Sequence, residues 1–351
     1  MERRTQTDRL RRTLTAAERV VPWLALVAAP LGLFLLLRSQ REAIAMLDSI
    51  GWDAIAPSAL AFMLAPLLQG VSFWIVLRLF ACRTSLLDAM VVWSRSYIVR
   101  YVPTGTLAVA YRLSARRRLG ASADQVLAGF TYEHVGVLVA AAAACLALFA
   151  LAGDLPPLLP LAIALAALVL AAALRPGIAG RGVEALTRRL GLQHGVILEG
   201  RQLATVVAVN VLGWLGTGTA VYLFVTTVTG SAPPFLWLAG TYTAGYLVGF
   251  VAPLSPGGLG VREGMLVVLL APHYGMGVAI ALPIAIRLVN IAGELLAVAL
   301  VHAVYVVHTA STRMGGIAAE VECTAAAEPV LQGRSKPRPR AGHARPLQEL
   351  A

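Results

Sequence analysis

The sequence predicts an all-α fold: a polytopic integral membrane helical bundle containing two broken, re-entrant helices. Three observations predict it. Of 351 residues, 58% are hydrophobic and 13% charged, with a mean hydropathy of +0.75, whereas a soluble domain carries about 25% charged residues. Apolar runs long enough to cross a bilayer recur along the chain. Two further apolar stretches are interrupted by proline, glycine and charge, and apolar sequence then resumes at once.

Residues 1–19 carry Arg3, Arg4, Arg9, Arg11, Arg12 and Arg19 against Glu2, Asp8 and Glu18, and form a basic segment expected in the cytoplasm. The run 20–37 is long enough to span, and Arg38-Ser39-Gln40-Arg41 after it is no small-residue cleavage site, so it reads as an uncleaved first span. A second span covers 55–79. Residues 86–112 are only half apolar and contain Arg95, Arg100, Pro103 and Gly105. The basic cluster Arg116, Arg117 and Arg118 follows, then a span over 126–152 with Tyr132, Glu133 and His134 near its start. The turn Gly153-Asp154-Leu155-Pro156-Pro157 leads into 158–174, and the next loop holds Arg175, Arg181, Arg188, Arg189 and Arg201. A span over 203–229 and the turn Ser231-Ala232-Pro233-Pro234 precede the second broken stretch, 235–271, and the last span, 276–307. The Gly/Pro/Ala/Arg-rich remainder, 308–351, reads as a disordered basic tail. The organisation is therefore a segment 1–19, a membrane domain 20–307 and a tail 308–351.

The second break, YLVGFVAPLSPGGLGVREG over residues 246–264, organises the reading. An unpaired backbone group in lipid costs roughly several kcal/mol, so irregular backbone survives there only where protein or a watery cavity covers it. Polar groups at such breaks are where transporters meet their substrates. Charge sets the topology. If both broken stretches crossed fully, the Arg116 cluster and the 175–201 loop would lie outside, against the positive-inside bias. If each enters and leaves on one side, both loops and both termini are cytoplasmic, the first break dipping in from the cytoplasm and the second from the exterior. Tyr97-Ile98-Val99-Arg100-Tyr101-Val102 before Pro103 also matches Tyr246-Leu247-Val248-Gly249-Phe250-Val251 before Ala252-Pro253. Shared sequence and opposite sides together suggest an inverted-topology repeat.

Candidate site residues cluster at the second break. Gly257, Gly258 and Gly260 permit backbone conformations closed to other residues and offer free N–H groups as an anion nest. Arg262 and Glu263 then read either as a charged pair in a cavity, Arg262 meeting a phosphate or carboxylate, or as a cap of the following helix, whose dipole favours an acid in its first turn. Arg287, Asn290 and Glu294 fall at i, i+3 and i+7 on one face of the last span. They form either a functional stripe or, through an Arg287–Glu294 or Arg262–Glu294 pair, a structural lock. Glu133 admits both readings. His134 reads as a satisfied polar residue, Arg95 and Arg100 as snorkelling cations, Trp23, Trp52, Trp93 and Trp237 as interface anchors, and residues 140–144 as a small-residue packing face.

The net charge of +11 is nearly all arginine. In a membrane protein it reads as cytoplasmic loop charge and attraction to anionic headgroups, so no nucleic-acid partner is expected. Cys82, Cys145 and Cys323 are scattered, without CxxC or a His/Cys cluster, so neither a disulfide framework nor a metal is expected. No nucleophile motif, P-loop or dinucleotide fingerprint occurs, and no cofactor is expected.

SPGGLGVREG resembles the PGGxGxxE signature of the lysylphosphatidylglycerol synthase transmembrane-region family of flippase-like proteins. Upstream, YIVRYVPTGTLAVAYRLSARRRLGAS resembles that family's YxPG stretch with its following arginine, here Arg112, and an acidic position near Glu133. The chain has Pro103-Thr104-Gly105 where the family pattern has PG. The resemblance covers most of residues 20–307. It implies a polytopic inner-membrane domain that moves lipids or lipid-linked molecules between leaflets. It also adds Arg112 to the substrate-binding candidates. The best-known members carry a soluble aminoacyl-transferase domain, for which the residues after 307 are too few, so aminoacylation by this chain is not expected.

The functional expectation is a cell-membrane, multi-pass, non-enzymatic flippase-like permease that binds an anionic or lipid-linked headgroup at Arg262, Glu263, Arg287, Asn290 and Glu294. Two rivals stand beside it. One is a membrane-embedded transferase acting on a lipid-linked sugar through Glu133 and Glu263, and the other is a non-catalytic membrane partner of a separate lipid- or glycan-modifying enzyme.

Overall fold

The computed structural model describes residues 45, 48–98, 107–152, 198–251 and 260–332, with side chains to residue 312. Among these residues the regular structure is helical throughout. Helices α1 (Trp52–Phe62) and α2 (Leu64–Leu79) form one bent span. Pro66 has no N–H for the Phe62 carbonyl, so the helix turns at Met63. Helix α3 (Leu86–Ile98) is capped by Ser85, whose Oγ accepts from the Asp88 N–H at 3.0 Å. Helix α4 (Leu107–Ser114) leads through a 3-10 turn (Ala115–Arg117) to α5 (Ala123–Ala152). A capping box of Ser122 and Gln125 starts α5. Helix α6 (Gly200–Thr229) has a Glu199–Gln202 box and stops at Gly230, φ 70°. Helix α7 (Phe235–Val251) precedes α8 (Val261–Gln332), which kinks at Gly275, φ 74° and ψ 164°.

Among the described residues four stretches are long and apolar enough to cross a membrane: Trp52–Leu79, Ala123–Leu151, Gly200–Thr229 and Val261–Thr312. The first three agree with the expected spans 55–79, 126–152 and 203–229, and the fourth joins the end of the expected broken stretch 235–271 to the expected last span 276–307 across the Gly275 kink. The expected spans 20–37 and 158–174 lie outside the described residues, as do most of the 175–201 loop and residues 333–351. Helix α8 passes residue 307 and reaches Gln332, through an alanine-rich stretch that favours helix.

The chain divides into two compact units, 1–302 and 303–351. In the second, Thr309, Ser311 and Thr312 return their hydroxyls to carbonyls one turn back. In the first, α2 runs antiparallel to α6, with Asn210 bonded to Ser72 and Leu64 against Gly216. One end of the bundle holds the Phe80 turn, bonded by Gln125, and Leu198, bonded by Tyr132. Arg116–Arg118 and Arg201 therefore share that end. The other end holds the turn after Gly230, where Tyr274 donates to the Ser231 carbonyl.

From these ends two hairpins dip into the bundle. Helices α3 and α4 lie antiparallel, with Arg118 on Asp88 at the Arg118 end and Arg112 on Ser96 deeper in. Helix α7 and the first limb of α8 also lie antiparallel. Trp237 meets His273 at the Gly230 end, and Gly245 meets Leu266 deeper in. At about 1.5 Å per residue, each limb is shorter than the ~30 Å hydrocarbon core. The hairpins enter from opposite ends, which is the arrangement the sequence predicts. Residues 99–106 and 252–259, between the limbs, lie outside the described residues, and with them Arg100, Pro103, Gly105, Pro253, Pro256, Gly257 and Gly258.

Ala140, Ala141, Ala142 and Ala144 are buried in the core, as a packing face requires. Two expected interface anchors are instead core residues. Trp93 is fully buried, because its indole N–H reaches Glu133, and Trp237 is buried against His273. Trp52 stays exposed at the start of α1, and Trp23 lies outside the described residues.

Candidate functional site

Each hairpin is tied to the span that follows it by an ion pair. In the first, Arg112 of α4 reaches Glu133 of α5, and both are buried. Arg112 Nε donates to Ser96 Oγ at 2.7 Å, Trp93 Nε1 donates to Glu133 Oε1 at 2.7 Å, and the guanidinium lies 4.4 Å from the Phe73 ring centroid. In the second, Glu263 of the first limb of α8 reaches Arg287 beyond the Gly275 kink at 2.7 Å. The sense of charge is exchanged: the hairpin carries the arginine in one case and the carboxylate in the other.

The sequence suggested Arg287–Glu294 or Arg262–Glu294 as the pair. The structure pairs Arg287 with Glu263 because of where Glu263 stands. Gly260, φ 84°, opens the helix, and its N–H donates to Glu263 Oε2 at 2.7 Å, which is the cap geometry of a third-position carboxylate. The other oxygen then faces Arg287. Arg262, one residue earlier, points about 100° around the helix and lies over the Tyr242 ring at 4.4 Å and the Tyr246 ring at 5.8 Å. The cavity and cap readings thus divide between neighbours, Glu263 capping and Arg262 facing inward.

Arg262 opens onto a cleft where the two hairpins approach each other. The cleft has a cavity volume of about 70 Å³ and opens at its mouth. Tyr97 comes from the first hairpin, Tyr242, Tyr246 and Arg262 from the second, and Asn290 and Glu294 from the last span. Helices α2 and α6 contribute Gln69, Asn210, Trp214 and Thr217. Asn290 Nδ2 donates to Glu294 Oε1 at 3.0 Å. Among the described residues no acceptor meets the Arg262 guanidinium, and the buried Tyr242 hydroxyl has no hydrogen-bond partner. Among the described residues neither of these two neighbouring donors therefore has an acceptor.

Of the expected site residues, Arg262, Asn290 and Glu294 line this cleft. Gly260, Glu263 and Arg287 form the cap and ion pair at the start of α8, and Gly257 and Gly258 lie outside the described residues. Arg112 and Glu133 do not line the cleft. The glutamates of the rival transferase reading are each paired with an arginine. His134 returns Nδ1 to the Phe130 carbonyl at 2.8 Å, and Arg95 Nε donates to His302 at 3.3 Å. Among the described residues no cluster of His, Cys, Asp and Glu could hold a metal. Sequence reasoning missed Tyr97, Trp214, Tyr242 and Tyr246, although Tyr242 and Tyr246, four apart beside a break, mark one helix face.

A helical bundle with membrane-length apolar spans, two opposed hairpins and a polar cleft between them defines a polytopic membrane protein. The model of the lysylphosphatidylglycerol synthase TM region matches residues 22–297, and the chain belongs to that family. No curated protein matches it.

Proposed function

We propose that this protein is a flippase-like permease that seats the anionic headgroup of a membrane lipid in the cleft and carries it between leaflets. The observation that supports this reading is the Arg262 guanidinium, held on Tyr242 and Tyr246 without an acid partner among the described residues. An arginine held by cation–π contact keeps its N–H fork available to a phosphate, and the idle Tyr242 hydroxyl adds a donor beside it. In this reading the chain moves lipid in the cell membrane and does no covalent chemistry. The Arg118 end faces the cytoplasm by the positive-inside bias, with both termini on that side.

The test is translocation of a fluorescent anionic phospholipid by purified protein in vesicles. Arg262→Lys keeps the charge but loses the planar fork. A hydrogen bond to a charged group is worth about 1.5–3 kcal/mol, so translocation is expected to fall about tenfold or more with Tm unchanged. Wild-type rates in a stable Arg262→Ala variant would overturn the proposal.

A further inference from the structure

Polar chemistry in the cleft continues beyond Arg262 and Tyr242. Gln69 lines it, and among the described residues its amide has no hydrogen-bond partner. Among the described residues Asn210 acts only as a donor, to Ser72 Oγ at 3.0 Å and the Val206 carbonyl at 2.8 Å. Asn290 likewise donates to Glu294. Among the described residues the side-chain carbonyl oxygens of Asn210 and Asn290 thus accept nothing.

Three amides beside an arginine offer donors and acceptors together. A hydroxyl is itself a donor and an acceptor, so such a set matches a headgroup bearing several hydroxyls better than a bare phosphate. The Trp214 indole and the Tyr246 ring meet edge to face at 4.7 Å and, with Tyr97, supply apolar ring faces against which the C–H face of a cyclic polyol can lie. Sites built to bond a hydroxyl discriminate strongly against analogues that lack it, because their own buried polar groups are then left unpaired.

We infer that the cleft takes a phosphate-linked cyclic polyol, the phosphate at Arg262 and Tyr242 and the hydroxylated ring at Gln69, Asn210 and Asn290. The inference rests on the proposed headgroup site and specifies what occupies it. Two kinds of lipid share this chemistry, an inositol phospholipid and a polyprenyl-phosphoryl hexose.

The experiment is native mass spectrometry of the full chain in detergent, titrated separately with phosphatidylinositol, a polyprenyl-phosphoryl hexose, phosphatidic acid and phosphatidylethanolamine. At least one ring-bearing lipid is expected to bind more tightly than phosphatidic acid, and the tighter of the two identifies the source. In Gln69→Ala that preference is expected to fall about five- to tenfold, the effect of one to two lost hydrogen bonds. In Arg262→Ala all the anionic lipids are expected to weaken together. Asn290→Ser provides the same comparison if Gln69→Ala does not fold. Equal binding of phosphatidic acid, or a preference for phosphatidylethanolamine, overturns the polyol inference while Arg262-dependent binding keeps the headgroup reading. Binding indifferent to Arg262→Ala overturns both.

Discussion

Arg262 and Glu263 are neighbours in sequence and do different work. Glu263 caps the start of its helix and neutralises Arg287, while Arg262 faces the cleft. The contrast extends to Arg112 and Glu133, whose side chains are each 3% exposed. Removing one member of such a pair strands the other charge, which costs about 3–5 kcal/mol. Glu133→Ala is therefore expected to lower stability by about that amount, since the Trp93 N–H also loses its acceptor. Replacing both members, Arg112→Met with Glu133→Leu, is expected to recover most of the loss. Thermal unfolding in detergent, followed by tryptophan fluorescence, measures both; a double variant no more stable than Glu133→Ala would show that the pair acts through something other than stranded charge.

At the scale of the element, two glycines in α8 control how the last span meets its neighbours. Gly275 takes a conformation reserved for glycine, φ 74° and ψ 164°, and a Cβ there would meet nothing within 4 Å. Gly275→Ala is therefore a purely torsional change and is expected to cost about 1–3 kcal/mol. Gly293 is the reverse case. Its backbone is not singled out, but a Cβ would lie 2.6 Å from the Ala59 carbonyl oxygen and 2.6 Å from Phe62 Cβ. Gly293→Ala must push α8 away from the bend between α1 and α2, and with it Asn290 and Glu294. Loss of lipid binding alongside a lowered Tm is expected for Gly293→Ala, and a lowered Tm with binding retained for Gly275→Ala. Paired melts and lipid titrations separate the two, and retained binding in Gly293→Ala would mean that this contact does not set the cleft.

At the scale of the molecule, the two hairpins approach from opposite ends and each is tied to its following span by one ion pair of exchanged polarity. On the proposed orientation, with the Arg118 end in the cytoplasm, an Arg117→Cys variant is expected to react with a membrane-impermeant maleimide only after cells are permeabilised. A Ser231→Cys variant is expected to react in intact cells. Labelling of Arg117→Cys in intact cells would reverse the orientation.

The spans and the opposed hairpins were legible in the sequence because lipid imposes a simple rule: long apolar runs cross it, and prolines, glycines and charges interrupting such runs must turn back into protein. Arg262, Asn290 and Glu294 were legible for the same reason, since a polar group in an apolar run stands out. Their partners were not. Which carboxylate meets Arg287 depends on the Gly260 N–H holding one oxygen of Glu263. That Arg262 rests on Tyr242 depends on how α7 packs against the first limb of α8. Trp93 read as an interface anchor, and only the approach of α3 to α5 made it a buried donor to Glu133. Composition and periodicity record where each residue sits along its own helix, and so determined the membrane class and the hairpins. The pairing of charges and the lining of the cleft arise between helices distant in sequence, and only tertiary packing decided them.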